Sequence, residues 1–295
     1  MHSYRDLPIR IAEFGQVHRH EFSGALNGLL RVRTFCQDDA HIFVTPEQIE
    51  DEITLALKII EHVYQVFGFD YEIELSTRPD DYMGDLTLWN QAEQALENVL
   101  INLGYNYKIN AGDGAFYGPK IDIHIKDAIK RSHQCGTVQL DFQLPEKFDL
   151  TYINEENEKV RPVVIHRAVF GSIDRFLGIL IEHFGGAFPL WLAPKQVEIV
   201  GVSEVHNEYA EKIYVQLQKA GVRVSIDRRN EKLGKKIRDA QIKKIPYLLV
   251  VGDQEEREQT VTVREYKLEE QKTISLEEFL NRILKEIAEK ILPIR

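Results

Sequence analysis

Cysteine is scarce in this chain, with only Cys36 and Cys135 among 295 residues. A disulfide framework is thereby excluded, and a reducing compartment is expected. No apolar run approaches the roughly 18 residues of a membrane span. The N-terminus lacks the basic-then-apolar pattern of a secretory signal, so the cytosol is the expected location. Internal repeats and low-complexity segments are absent as well. Positive charge is not in excess either: the formal net charge is −10, which argues against indiscriminate nucleic-acid binding. It leaves room for a local basic patch, and one exists. Between Asp227 and Lys244, eight Lys or Arg stand against three acids. What remains is an ordinary globular composition, 43% hydrophobic and 28% charged, in a length that suits about two domains.

Hydrophobic periodicity divides the chain. Thr45 can cap a helix, Pro46 suits its first turn and Gln48 completes a capping box. Ile49, Ile53, Leu57, Ile60, Tyr64 and Phe67 follow at helical spacing until Gly68. Tyr71, Ile73 and Leu75 alternate as in a half-buried strand, and a second helix is predicted from about Thr87 to Leu103. Ile121, Ile123 and Ile125, then Val138, Leu140 and Phe142, read as strands. The stretch Val160–Ile165 reads as another, with a helix from about Ser172 to Phe184. Strands with helices set between them, without regular alternation, favour an antiparallel α+β sheet. After Ala193 the pattern changes. Val197–Val202, Val222–Ile226, Tyr247–Val251 and Thr260–Arg264 are strand-like, with helical stretches between and a last helix from about Leu276. This spacing predicts an α/β domain with a mainly parallel sheet, so the expected domains are 1–193 and 194–295.

Several segments could carry chemistry. His18-Arg19-His20-Glu21, followed by Arg31, Arg33, Phe35, Gln37, Asp38, Asp39 and His41, offers arginines for phosphate, acids for amines and an aromatic face for a base. A charged hairpin with solvated ion pairs explains the same residues. The glycine-rich run from Gly112 to Lys120 could bring backbone close to a ligand while Lys120 meets an anion; a long hairpin connection is the alternative. Gln134, Thr137 and Gln139 lie on a strand that also carries core residues, as an unremarkable polar sheet face would. His41 and His166 are unrelated by spacing. Cys36 and Cys135 suit inert small residues. Ser172 opens an apolar helix with Arg175 in its first turn, where a cation opposes the helix dipole. Arg175 therefore needs an anionic partner, either a ligand or an internal carboxylate.

Taken together, these segments resemble class II aminoacyl-tRNA synthetases of the threonyl type. "VHRHEFSGALNGLLRVRTFCQDDAHIF" looks like the second class II motif, and "VVIHRAVFGSIDRFLGILIEHF" resembles the third. "GDGAFYGPKIDI" and "SHQCGTVQLDF" are similar to the substrate-pocket strands, and "IDRRNEKLGKKIRDAQIKKIPYLLVVGDQE" to the anticodon-binding domain. The resemblance covers essentially the whole chain. It implies a class II antiparallel-sheet catalytic domain, then an α/β anticodon-binding domain. It also implies a two-step ligation: threonine carboxylate attacks the ATP α-phosphate, and the adenylate then esterifies threonine tRNA. Arg19, Lys120 and Arg175 are the implied catalytic residues. Arg19, Glu21, Arg31, Phe35, Gln134, Thr137, Ser172 and Arg175 would bind ATP with Mg²⁺. Gln37, Asp39, Tyr117 and Gln139 would line the threonine pocket. Asn230, Glu255 and Arg264 would read the anticodon.

The family also holds a Zn²⁺ that ligates threonine's amino and hydroxyl groups, which valine cannot match. His41 and His166 match its two histidines. Its cysteine belongs to a segment upstream of "HSYRDLPIRIAEFG", as does the first class II motif with its share of the homodimer contacts. The expectation is therefore a synthetase core without that motif and with an incomplete zinc site. Two other readings compete: a non-catalytic tRNA-binding relative, and a class II ligase for another amino acid, against which the His41/His166 pair weighs.

Overall fold

A computed structural model describes residues 2–127, 129–268 and 270–292. The ends of the expected domain spans, Met1 and residues 293–295, lie outside them. The chain separates into two units, residues 1–180 and 181–295.

The first unit opens with a short strand β1 (His2–Ser3) and a long hairpin, β2 (Ile9–His18) and β3 (Thr34–Val44). Helix α1 (Ile49–Phe67) follows. Its entry is as predicted: Thr45 N donates to Gln48 Oε1 at 3.1 Å. Its exit is Gly68 at φ 70°, a left-handed conformation that glycine takes without strain. Then come β4 (Tyr71–Ser76), α2 (Leu86–Asn102) capped by Asp85, β5 (Tyr107–Asn110), β6 (Lys120–Lys126) and β7 (Ser132–Asp141). A short helix α3 (Gln143–Lys147) leads to β8 (Tyr152–Ile153), β9 (Lys159–Val160), β10 (Val163–Ser172) and α4 (Ile173–His183). The single strand expected over Val160–Ile165 is thus two. Pro162 has no N–H to give a ladder, and the long strand starts only after it.

Seven strands form one sheet in the order β2-β3-β10-β7-β6-β4-β5, antiparallel except for β4 with β5. Its register aligns His41, His166, Gln139, Lys120 and Ser76 in one row across neighbouring strands. Asp39, Ala168, Thr137 and Asp122 form the next row on the same face, because side chains alternate with period two. The opposite face is apolar. Ile53, Ile60 and Tyr64 of α1 and Trp89, Leu96 and Leu100 of α2 are buried with Ile121, Ile123, Val138 and Ile165 of the sheet. Gly136 permits the close approach of α1: a Cβ there would lie 2.9 Å from the Tyr64 hydroxyl.

The second unit contains β11 (Val197–Gly201), α5 (Asn207–Lys219), β12 (Val224–Asp227), α6 (Leu233–Ile242), β13 (Tyr247–Val251), α7 (Asp253–Glu258), β14 (Thr260–Glu265), β15 (Gln271–Ser275) and α8 (Leu276–Ala288). The strands β12, β11 and β13 are parallel, as expected of strands joined by helices. The hairpin β14–β15 adds antiparallel strands at one edge, so the sheet is mixed. The polar run Gln271–Ser275 carried no hydrophobic alternation to announce it. This unit has its own core, in which Ile199, Ile213, Leu217, Leu249, Val261, Phe279 and Ile283 are buried.

Candidate active site

The polar face of the first sheet opens into a cleft of about 160 Å³. Arg19, Glu21, Arg31, Phe35, Gln37, Gln134, Thr137, Gln139, Ser172 and Arg175 line it. The charged hairpin and the site are therefore one structure. Its arginines are held at several points. Arg19 N donates to Arg33 O at 2.8 Å, and its guanidinium lies 5.3 Å from the centre of the Phe35 ring. Arg31 Nε donates to Glu21 Oε2 at 3.1 Å, and Arg33 Nε donates to Glu21 O at 3.0 Å.

Arg175 enters from the start of α4. Its Nε donates to Leu30 O at 3.0 Å and its Nη1 to Gln134 O at 3.3 Å. Those partners are neutral carbonyls rather than the internal carboxylate that one sequence reading foresaw. The nearby Asp174 carboxylate is used elsewhere, accepting from Cys36 N at 2.9 Å.

A bulge in β10 sets this corner. The register breaks between Ala168 and Ser172. Buried Asp38 accepts from Val169 N at 2.8 Å and Phe170 N at 3.0 Å. Burial raises the Asp38 pKa above the ordinary carboxylate value, against the pull of those N–H donors and Arg167. Gly171 turns at φ +65°, and a Cβ there would meet Cys135 O at 2.6 Å.

Farther along the same face lie the remaining candidate residues. The Tyr117 hydroxyl donates to Gln139 Oε1, and burial lifts its pKa to about 12, with Asp141 and Asp39 adding to the shift. The glycines of its loop are needed, since a Cβ at Gly118 would fall 1.9 Å from Leu140 O. Lys120 Nζ lies 2.7 Å from Asp122 Oδ2 and 3.2 Å from Asp113 Oδ2. Burial opposes its charge, yet the two carboxylates hold its pKa above the usual lysine value. Asp39 moves the other way from an exposed acid: burial raises it, although His41 and His166 favour its charged form.

His41 and His166, distant in sequence, are cross-strand partners with ring centroids 4.8 Å apart. His166 Nε2 lies 2.9 Å from the buried Asp141 Oδ2, a carboxylate–imidazole pairing of the kind that orients metal ligands. Burial and the neighbouring His166 lower the His41 pKa, which favours the neutral form that binds a metal. The pair fits two positions of a zinc site. Among the described residues, no group of three His, Cys, Asp or Glu is arranged to hold a metal. Cys36 lies an odd number of residues from His41 on β3, so alternation puts it on the other face. Cys135 is buried, with its thiol pushed up to about 12.

Sequence reasoning passed over two acids, Asp122 and Asp141, and gave Asp38 no place beneath the site. All three are buried there. A signal was available: an acid in a strand flanked by apolar residues, as in "KIDIHIK", is rare unless it is paired.

In the second unit, Asn230 is exposed in the loop between β12 and α6. Glu255 Oε1 accepts from Thr262 Oγ1 at 2.7 Å and its Oε2 from Gly252 N at 2.9 Å. Arg264 Nη1 donates to Gln271 Oε1 at 2.6 Å. The basic patch is partly consumed internally. Arg228 pairs with Glu211 and Arg229 with Asp227, each at 2.6 Å. Lys235 pairs with Glu231, and buried Lys236 donates to Asp227 O at 3.2 Å.

Two family models match: the tRNA synthetase class II core domain (G, H, P, S and T) over residues 1–184, and the anticodon binding domain over residues 196–286. "Threonine--tRNA ligase 2" of Bacillus subtilis (strain 168) is 66% identical over 97% of this chain and 45% of its own length. "Threonine--tRNA ligase" of Caldanaerobacter subterraneus subsp. tengcongensis is 56% identical over 99% of this chain and 45% of its own length. The chain thus spans a little under half of these curated relatives. Among solved structures, "Crystal Structure of the RNA binding domain of Threonyl-tRNA synthetase from Cryptosporidium parvum Iowa II" superposes with a TM-score of 0.91 at 46% identity, covering 99% of this chain and 73% of that one. A prolyl-tRNA synthetase from the same organism, at 19% identity and a TM-score of 0.71, shares the fold. With the polar cleft on an antiparallel sheet and matches along nearly its whole length, the chain belongs to the class II aminoacyl-tRNA synthetases, in the threonyl-tRNA synthetase branch.

Proposed function

We propose that the chain carries the aminoacylation site and the anticodon-reading part of a threonine–tRNA ligase. The observation that best supports this reading is the single cleft that gathers Arg19, Glu21, Phe35, Gln134, Thr137 and Arg175 from β2, β3, β7 and α4 and the loops beside them. In the first step a threonine carboxylate oxygen attacks the ATP α-phosphorus, and pyrophosphate leaves with the electrons of the broken P–O bond. In the second, a terminal ribose hydroxyl of threonine tRNA attacks the acyl carbon, and AMP leaves.

Arg19 holds the α-phosphate and the threonine carboxylate together as charge moves between them. Phe35 offers its ring to adenine, and Glu21 accepts from the adenine amino group. Arg175 grips the γ-phosphate, aimed there by its two carbonyl bonds, with Ser172 beside it and Arg31 as a further phosphate contact. Mg²⁺ accompanying ATP would neutralise the remaining phosphate charge. Positioning and fixed charge of this kind supply most of the acceleration in such transfers.

Gln37, Asp39, Tyr117 and Gln139 receive threonine, with Lys120 at the floor of the pocket. His41 and His166 would hold a metal ion, which would supply ligation to threonine's amino and hydroxyl groups. Asn230, Glu255 and Arg264 contact the anticodon, a homodimer is the assembly of the family, and the cytoplasm is the compartment. The alternative reading is a tRNA-binding relative without catalysis.

ATP–pyrophosphate exchange separates the two readings. Exchange should depend on threonine and fall by roughly 10²–10³-fold in Arg19→Ala and Arg175→Ala. A folded chain that binds threonine tRNA yet supports no exchange would establish the second reading instead.

A further inference from the structure

One buried carboxylate reaches several of the residues assigned to the cleft. Asp122 on β6 is 1% exposed. Its Oδ1 accepts from Gln134 Nε2 at 2.5 Å and Thr137 Oγ1 at 3.0 Å. Its Oδ2 accepts from Ser76 Oγ at 2.9 Å and lies 2.7 Å from Lys120 Nζ. Four donors converge on two oxygens, a set that an acceptor-only carboxylate can satisfy in full. An amide in its place would set a donor against donors on one side.

The convergence depends on a bulge. Gln134 and Thr137 are three residues apart and would face opposite ways on a regular strand. The register of β6 with β7 shifts between Ile123 and His124, leaving Cys135 as the extra residue, so both side chains reach Asp122. From this point two lines of contact run outward. Gln134 O accepts from Arg175 Nη1 at 3.3 Å, which ties Asp122 to the phosphate end of the cleft. The Thr137 hydroxyl donates its hydrogen bond to Asp122, so its oxygen can accept from Gln139 Nε2 at 3.4 Å. That orients the Gln139 amide, whose Oε1 accepts from Tyr117. The directions of the Thr137, Gln139 and Tyr117 hydrogen bonds are therefore set from one buried charge.

We infer that Asp122 is a positioning residue that aligns Lys120, Gln134 and Thr137 for nucleotide and amino acid at once, without touching either. The inference rests on the ligase reading. The test is calorimetric titration of the 295-residue chain with ATP, and then with threonine in the presence of a non-hydrolysable ATP analogue. In Asp122→Asn both affinities should fall, by roughly 10–100-fold, the scale of a lost hydrogen bond to a charged acceptor. Ser76→Ala takes away a donor that belongs to neither line, and should leave both affinities within about twofold of the unsubstituted chain.

If the unsubstituted chain binds no ATP, the ligase reading falls and this inference with it. If that chain binds ATP while Asp122→Asn binds both ligands as tightly, the inference alone is overturned. It is also overturned if Ser76→Ala weakens binding as much, because loosening of the sheet then explains the loss. Should Asp122→Asn fail to fold, Lys120→Gln with Asp122→Asn removes both charges together, and its ATP affinity is compared with that of Lys120→Gln alone. A further fall in the double variant supports the action through Gln134 and Thr137; equal affinities overturn it.

Discussion

His41 and His166 sit opposite each other on β3 and β10, and Asp141 engages the outer nitrogen of one ring. Two imidazoles bind zinc far more weakly than two imidazoles with a thiolate, because the remaining positions fall to water. This 295-residue chain should therefore purify with much less than one zinc per molecule. Its preference for threonine over valine should drop to what pocket shape gives, about 10–200-fold. Metal analysis beside threonine- and valine-dependent exchange checks both. Tight stoichiometric zinc with strong threonine selectivity would overturn the prediction, and the donor would then have to be found somewhere other than Cys36, which faces away.

Elements meet at tight places that tolerate little change. Gly171 links the bulge of β10 to α4 in a left-handed conformation, against Cys135 O. Gly171→Ala should cost roughly 1–3 kcal/mol of backbone strain and weaken ATP binding by displacing Arg175. Urea unfolding and ATP titration measure the two effects. Gly24→Ala, which would meet no heavy atom within 4 Å, should change neither.

At the end of β12 the effect is electrostatic. Asp227 is held below its ordinary pKa first by hydrogen bonds from Arg229 and then by the Arg229 N–H and the charges of Arg229 and Lys236. A carboxylate with a depressed folded pKa stabilises the protein above its unfolded pKa, near 3.9, and that stability is lost as pH falls through the folded value. At pH 7 Asp227→Asn should thus melt below the unsubstituted chain, by roughly 1–3 kcal/mol for a charge-assisted pair. The gap should close as the pH is taken down from about 4. A gap that stays constant to the acid limit would mean that the charge contributes nothing.

On the scale of the whole molecule, the second unit has a core of its own. A fragment of residues 181–295 should fold with a cooperative melt and prefer a threonine-anticodon stem-loop over others. Arg264→Ala should reduce that preference by about 1–3 kcal/mol, the usual cost of a lost base contact. Equal binding of every stem-loop at physiological salt would refute the anticodon assignments. With Arg228, Arg229, Lys235 and Lys236 paired or buried, the salt dependence should reflect fewer phosphate contacts than the eight cations of the patch suggest.

The sequence by itself determined the local elements and the family. α1 was legible to its cap and its terminating glycine, because capping and helical periodicity are written in neighbouring residues. β15 was not, since a polar edge strand owes its place to the β14 ladder rather than to any pattern of its own. The charged hairpin and the glycine-rich loop could be read two ways until the sheet placed both on one face. Spacing left His41 and His166 unrelated and only the family resemblance joined them; tertiary structure alone decided that Gln134 and Thr137 share a carboxylate, and that Asp38, Asp122 and Asp141 underlie the site. Register and bulges set those meetings, and they arise from pairing between strands far apart in the chain. A buried charge can be interpreted only when the donors around it are known, and distant segments supply those donors.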